Sequence, residues 1–564
     1  MGSHKFKLYL PFIAIIVAQA LLVVAAPSNA PGSNDLISGG FQPGAGDAGG
    51  DFGDDFGDLN GTDGGDGGST TNGGGGQDLD VGEFVTADDG TTAVRRTGSG
   101  VVRGDISHCV GDRQFDILLN NPACIPKFEG DNGGATYQGV SGDAIRIVQW
   151  EYEANAAVDA ALAPQGLATT PEDRRNLDAA AKAFIEKHYE LYGRKLEVIR
   201  VVTSCPTSPQ DITACKQEAR RVIAMKPLIV IIGTVSYPEI YDEFARAGII
   251  TVGGWHWPAS YFTQRRPYRW DLFMDGDQSA AMLAEYYCKK LAGKPASQSG
   301  RVIHPTIGGR TTPRKVGILA PDRDTDALVA ETMRRQIAQC AGHNPTVIKY
   351  SPDINQASRD SEAISQRLVS DGVTTVICFC DPVTPIFFTK VFTRQSYFPE
   401  HLMSGTGLLD YDKLGRLYDQ GQWVHAFGPG HLFDPLPFAE QDVSRMWRAS
   451  GQPGGPCQAC NLNWSYYALT ASMIHGAGPN LNPHTVEAGL LSATPYGGDR
   501  PGSVLVKLGP GDYTVVSDSR EAYWSANTIS KIDGSAGAYV TMNNGARYEH
   551  GEWTNEFTIP AASQ

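Results

Sequence analysis

Three observations predict an α/β protein of two doubly wound lobes, each built on a central parallel sheet. Short strand-like segments occur in two runs laid end to end. The first reads IRIVQW from Ile145, LEVIRVV from Leu196, PLIVIIG from Pro227 and GIITVGG from Gly248; the second reads RKVGILAP from Arg314, PTVIKY from Pro345 and TTVICFC from Thr374. Each segment is rich in Val and Ile and apolar on both faces, the pattern of a parallel strand buried between helix layers. Helix-length amphipathic stretches separate the segments, the alternation expected of doubly wound units. Two such lobes in tandem create a cleft, and a cleft implies a ligand.

In the first lobe the pattern predicts a helix over 171–192, with Thr170 placed to cap it and Pro171 at its first position. Helices over 209–225 and 237–247 follow their strands. In the second lobe helices are expected through Cys340, over 357–370 and from Pro382. After HLMSGTG and QWVHAFG come two more helical stretches, LNWSYYALTASMIHGAG and PHTVEAGLLSA. A β-rich tail over 503–560 closes the chain, with no strongly periodic helix.

The chain has 564 residues, enough for several domains and a large core. Lys5 and Lys7 precede an apolar run over 8–26, then Pro27 and Ser28-Asn29-Ala30. This reads as a secretory signal, with an uncleaved N-terminal anchor as the alternative because the apolar run approaches spanning length. Residues 31–100 are mostly Gly and Asp and are expected to form a disordered, self-repelling linker. Its acidic spacing fits neither a calcium nonapeptide repeat nor an EF-hand loop. The linker carries most of the formal charge of −15, so the folded part is only mildly acidic, which argues against nucleic acid as a partner.

Ten cysteines behind a signal sequence point to an oxidising compartment and disulfides. Cys109 with Cys124 and Cys205 with Cys215 are plausible local bridges; the remaining pairings stay open. Cys457 and Cys460 form a CxxC ahead of a helix. A structural disulfide is the reading preferred over a redox pair or a metal site, because GQPGGP precedes it where a thioredoxin-type site needs a strand. The chain has no GxSxG elbow, no HExxH and no phosphate loop, so nothing argues for an enzyme, and no cofactor is expected.

The order of segments resembles the type 1 periplasmic binding protein superfamily, most closely its branched-chain amino-acid-binding-like members, including actinobacterial ABC transporter substrate-binding proteins. The carriers are GTVSYPEIYDEFARAGIITVGG, YRWDLFMDGDQSAAMLAEYYCKKL, KVGILAPDRDTDALVAETMRRQI and AGPNLNPHTVEAGL. The resemblance covers roughly residue 143 to the C-terminus. It implies lobe 1 over 144–272, completed by about 430–505, and lobe 2 over 273–429, completed by about 506–562. A lead-in over 101–143 precedes them, and a three-strand hinge joins them. It also implies an extracytoplasmic protein that closes on a small polar ligand, such as an amino acid or amide, and is read by an ABC-type permease. An envelope-anchored sensor or interaction module is the alternative, with the membrane touched only through the N-terminal segment.

Ligands of open parallel sheets sit outside the carboxyl ends of the strands. Those ends offer Trp150, Thr234, Ser236, Tyr237, Trp255, Trp257, Asp322, Thr325, Asp381 and Asp410. Thr234 and Ser236 stand where a helix begins and could hold a carboxylate or simply cap the helix. In the resembled family a Ser or Thr here binds the α-carboxylate, and Ser236 matches best. Trp255 and Trp257 flank His256 on one loop and are expected to offer a shared stacking face, or else to pack the lobes. His256 is expected to be a packing or surface residue. Asp381 or Asp410 could meet an ammonium, with helix capping as the alternative for Asp381 just ahead of Pro382.

Overall fold

Capping and burial explain the first long helix directly. In the computed structural model, Thr170 caps the helix Pro171–His188 in a reciprocal box with Asp173. Leu177, Ala180, Ala181, Phe184 and Ile185 form its buried stripe. The structure describes residues 82–86, 92–96, 105–153, 155–206, 212–233, 237–499 and 501–560. All of these fall within one compact unit, Gly76–Gln564.

Lobe 1 is built on β1 (Ala144–Glu153), β2 (Lys195–Pro206), β3 (Ile229–Gly233), β4 (Ile250–Gly253) and β5 (Arg269–Trp270). They lie in the order β2-β1-β3-β4-β5 and every pairing is parallel. Its longer helices are α1 (Ala156–Leu162), α2 (Pro171–His188), α3 (Thr213–Ile223) and α4 (Pro238–Arg246). Strands β3 and β4 are buried along their whole length, as their unbroken Val/Ile runs require.

Lobe 2 begins with α5 (Gly276–Tyr286) and continues through β6 (Val316–Pro321), α6 (Asp324–Ala341), β7 (Thr346–Tyr350), α7 (Ile354–Ser370), β8 (Thr375–Cys378), α8 (Pro385–Arg394), β9 (Glu400–Met403) and β10 (Ala426–Gly430). Its sheet runs β7-β6-β8-β9-β10 in parallel, the same relative order as lobe 1. The predicted β-rich tail extends this sheet in antiparallel fashion with β11 (Ser519–Ile529) and β12 (Ala536–Thr541). The helices α9 (Asp442–Ser450), α10 (Cys460–Ala477) and α11 (Pro483–Leu491) return to lobe 1, where α9 and α10 pack on α2.

The chain therefore passes between the sheets three times. The first and third passages run side by side: the Asp271 carbonyl accepts from Val515 N–H at 3.1 Å, and the Leu272 carbonyl accepts from Val516 N–H at 3.0 Å. The second passage is tied in by Arg547, whose guanidinium donates to the Leu432 carbonyl at 2.9 Å.

All ten cysteines are bridged, as Cys109–Cys124, Cys205–Cys215, Cys288–Cys340, Cys378–Cys380 and Cys457–Cys460. The linker expectation needs one correction. Gly82–Thr86 and Thr92–Arg96 form an antiparallel pair with Phe84 opposite Val94. The segments GEFVT and TAVRR carry β-branched and aromatic residues around an Asp-Asp-Gly turn sequence, a hairpin signal. The signal or anchor over 1–30 and the rest of the tract lie outside the described residues. Among the described residues no helix is long and apolar enough to cross a membrane.

Candidate ligand site between the lobes

At the carboxyl ends of the lobe 1 strands the aromatic residues are packed inward. Trp257 is 0% exposed and stands edge-on to Tyr241 and Tyr261, with ring centroids 5.0 and 4.7 Å away. The Arg269 guanidinium lies 5.0 Å from its ring centre, a cation–π contact inside the lobe. Trp255 is also buried but faces lobe 2, where a side chain on Gly407 would meet its ring at 3.6 Å. The two indoles therefore have separate surroundings and form no shared open face. The expectation failed because the loop between them is itself buried between a strand end and the opposite lobe. Trp150 packs within lobe 1 against Tyr152 and Phe244. Tyr237 is buried as the residue that precedes α4. Thr234 and Ser236 lie outside the described residues.

His256 bridges the lobes. Its Nδ1–H donates to the Met274 carbonyl at 2.8 Å, and its Nε2 accepts from Gly407 N–H at 3.1 Å. The acceptor role of Nε2 sets the neutral tautomer. Burial disfavours the imidazolium and holds the pKa down to about 4.

In lobe 2 the carboxylates are already engaged. Asp381 accepts from Val383 N–H at 2.9 Å, Thr384 N–H at 2.8 Å and Tyr350 O–H at 2.9 Å, so it caps the turn that leads into α8. Asp410 is 1% exposed; its Oδ2 accepts from Leu432 N–H at 2.9 Å and lies 3.5 Å from the Arg520 guanidinium, while its Oδ1 is buried without a hydrogen-bond partner. Burial outweighs that guanidinium and lifts the Asp410 carboxyl above the usual carboxylate range. Asp322 is on the surface beside Lys349, 3.2 Å away. Thr325 sits in the first turn of α6 beside Asp326. The structure thus does not gather the strand-end candidates around one open space.

The space between the lobes lies closer to the hinge. A cavity of about 360 Å³ is lined by Leu162 and Leu167 of lobe 1, Leu408 and Leu414 of lobe 2, and residues of all three passages, among them Phe273, His431 and Val516. The volume falls in the range of small-molecule pockets. Helix α1, inserted straight after β1, and the turn that follows it reach across to lobe 2: Val158, Ala161 and Leu162 of the helix and Leu167 beyond it pack on the apolar core of lobe 2. Lys413 of lobe 2 fastens this segment by donating to the Gln165 carbonyl at 2.9 Å, and it also bonds the Gln458 side chain.

Sequence reasoning missed His431. It follows β10, a strand end left out of the list of candidates although QWVHAFG reads as a strand. The side chain is 1% exposed, and neither ring nitrogen has a protein partner. It lies against Gly405 (φ +74°), where any Cβ would collide with the imidazole. Burial pushes its pKa well below the ordinary histidine value, so the ring is neutral. Cys457 and Cys460, next to the wall residue Gln458, are bridged and offer no free thiol.

No model of a known family and no curated protein matches the sequence. Solved structures do match. A solute-binding protein of an ABC transporter from R. palustris, in complex with 4-hydroxybenzoate, is 13% identical; it aligns over 73% of this chain and 99% of that one with a TM-score of 0.51. An ABC transporter substrate-binding protein from Aeropyrum pernix is 12% identical, over 73% and 97%, with a TM-score of 0.50. A solute-binding protein from Rhodopseudomonas palustris HaA2, in complex with p-hydroxybenzoic acid, is 12% identical, over 72% and 98%, also at 0.50. Two parallel sheets of one strand order, three passages and these alignments make the architecture that of a type 1 periplasmic binding protein.

Proposed function

We propose that the protein is an extracytoplasmic solute-binding protein that closes its lobes on a small molecule and presents the closed form to an ABC-type permease. The observation that carries this reading is the cavity of about 360 Å³ walled by both lobes and by every passage between them. A ligand there touches each moving part, so binding favours the closed arrangement over an open one. The His256–Gly407 bond and the Lys413–Gln165 bond are the polar contacts that closure forms around it. The solved structures of the same fold are named as ABC transporter solute-binding proteins, which supports the transport role. Five disulfides support an oxidising compartment, and residues 1–30 are assigned as the export signal or anchor.

The test is a thermal-shift screen of the full chain against amino acids, amides, carboxylates, phenols and other small metabolites. A ligand at 100 times its Kd adds about 2.7 kcal/mol of stability and raises the melting temperature clearly. The reading requires at least one solute to do so, together with a reduction in the radius of gyration measured by X-ray scattering. A library-wide absence of stabilisation would overturn it.

A further inference from the structure

Resting on the solute-binding reading, we infer that the cavity selects an uncharged, mainly apolar molecule carrying one hydroxyl group, with His431 as the residue that receives that group. Among the described residues that line the cavity none is Asp, Glu, Lys or Arg. A zwitterionic amino acid would bury an ammonium and a carboxylate with no countercharge on the walls, which is strongly unfavourable.

The nearby charged groups lie off the cavity wall. Asp381 serves the turn into α8, Asp410 faces Arg520 through Oδ2 and keeps Oδ1 buried without a partner, and Lys413 pairs with Asp533 at 3.5 Å. The walls instead offer leucine, valine and phenylalanine surface, which favours a compact apolar body such as an aromatic ring.

A fully apolar occupant would leave the polar atoms of the walls without partners. His431 is neutral and buried, with one ring nitrogen to donate and one to accept, and neither is used by the protein. Asn461 lines the same cavity, and its Oδ1 is likewise buried without a partner. A hydroxyl both donates and accepts, so it can pair with either ring nitrogen of the neutral imidazole. A site built to bond a hydroxyl discriminates strongly against an analogue that lacks it.

The experiment is isothermal titration of the full chain with four probes: 4-ethylphenol, ethylbenzene, 4-hydroxybenzoate and L-leucine. The expected order places 4-ethylphenol first, with ethylbenzene and 4-hydroxybenzoate each roughly tenfold or more weaker and L-leucine without measurable binding. His431→Phe is expected to weaken 4-ethylphenol roughly tenfold while leaving ethylbenzene unchanged, a split that a purely structural role would not produce. His431→Gln keeps a hydrogen-bonding group and is expected to restore part of the preference, and it serves if the Phe variant does not fold. Tighter binding of L-leucine or 4-hydroxybenzoate than of 4-ethylphenol would overturn this inference and leave the solute-binding reading standing. An equal loss for both neutral probes would overturn the role of His431. Failure of every solute in the wider screen would remove the solute-binding reading itself.

Discussion

The two lobes share one strand order yet meet the cleft with opposite chemistry. Lobe 1 brings tryptophans to its strand ends, and lobe 2 brings carboxylates. Both sets are committed within the protein: Trp257 to Tyr241, Tyr261 and Arg269, Asp381 to the turn ahead of α8, Asp410 to Arg520. The comparison teaches that a strand-end position makes a residue available to a ligand only if no neighbour holds it first. The cavity wall is mainly apolar, with leucines from both lobes, uncharged polar side chains such as Asn461, and one histidine from a passage.

Substitutions at these residues break the comparison in graded ways. Trp257→Ala removes a fully buried indole and is expected to cost about 4 kcal/mol in urea denaturation, whereas a ligand-stacking tryptophan would cost affinity and little stability. Asp410→Ala leaves Arg520 buried without its nearest carboxylate, for a loss of about 3 kcal/mol. If Asp410 instead held a ligand ammonium, the same variant would abolish binding at nearly unchanged stability.

His256 sharpens the contrast through pH. Its folded pKa of about 4 lies below the ordinary value of 6.5, so the unfolded chain binds the extra proton. Its contribution is fully present above about pH 6.5 and is lost as pH falls from there towards 4. By pH 5 the loss is about 2 kcal/mol. Denaturation at pH 7.5 and pH 5 is expected to show this difference between the parent and His256→Gln, whose amide can still accept from Gly407. Equal pH dependence in the two proteins would contradict the bridge. Asp381→Ala has the smallest effect, about 1 kcal/mol for a lost cap, with ligand affinity unchanged by titration calorimetry.

Much of the fold was legible because its signals are local. TTPED predicts the start of α2, and runs such as PLIVIIG predict strands buried on both faces, each from a few adjacent residues. The lobes' shared topology follows from the order of those signals. The cavity was not legible, because Leu162, Leu272, Leu408 and Leu414 read as core wherever they occur, and only tertiary placement leaves space between them. The engagement of Asp410 was hidden for the same reason, since its partner Arg520 lies 110 residues further on. The Cys378–Cys380 and Cys288–Cys340 bridges settle pairings that the sequence had left open. His431 was within reach: a complete list of strand ends would have included it.

The most direct test of the account is a crystal structure of the full chain grown with 4-ethylphenol. The account predicts ligand density between Leu162, Phe273 and His431, with Trp257, Asp381 and Asp410 keeping their present partners. Density instead at the strand-end loops, against Trp255 and Asp381, would contradict it.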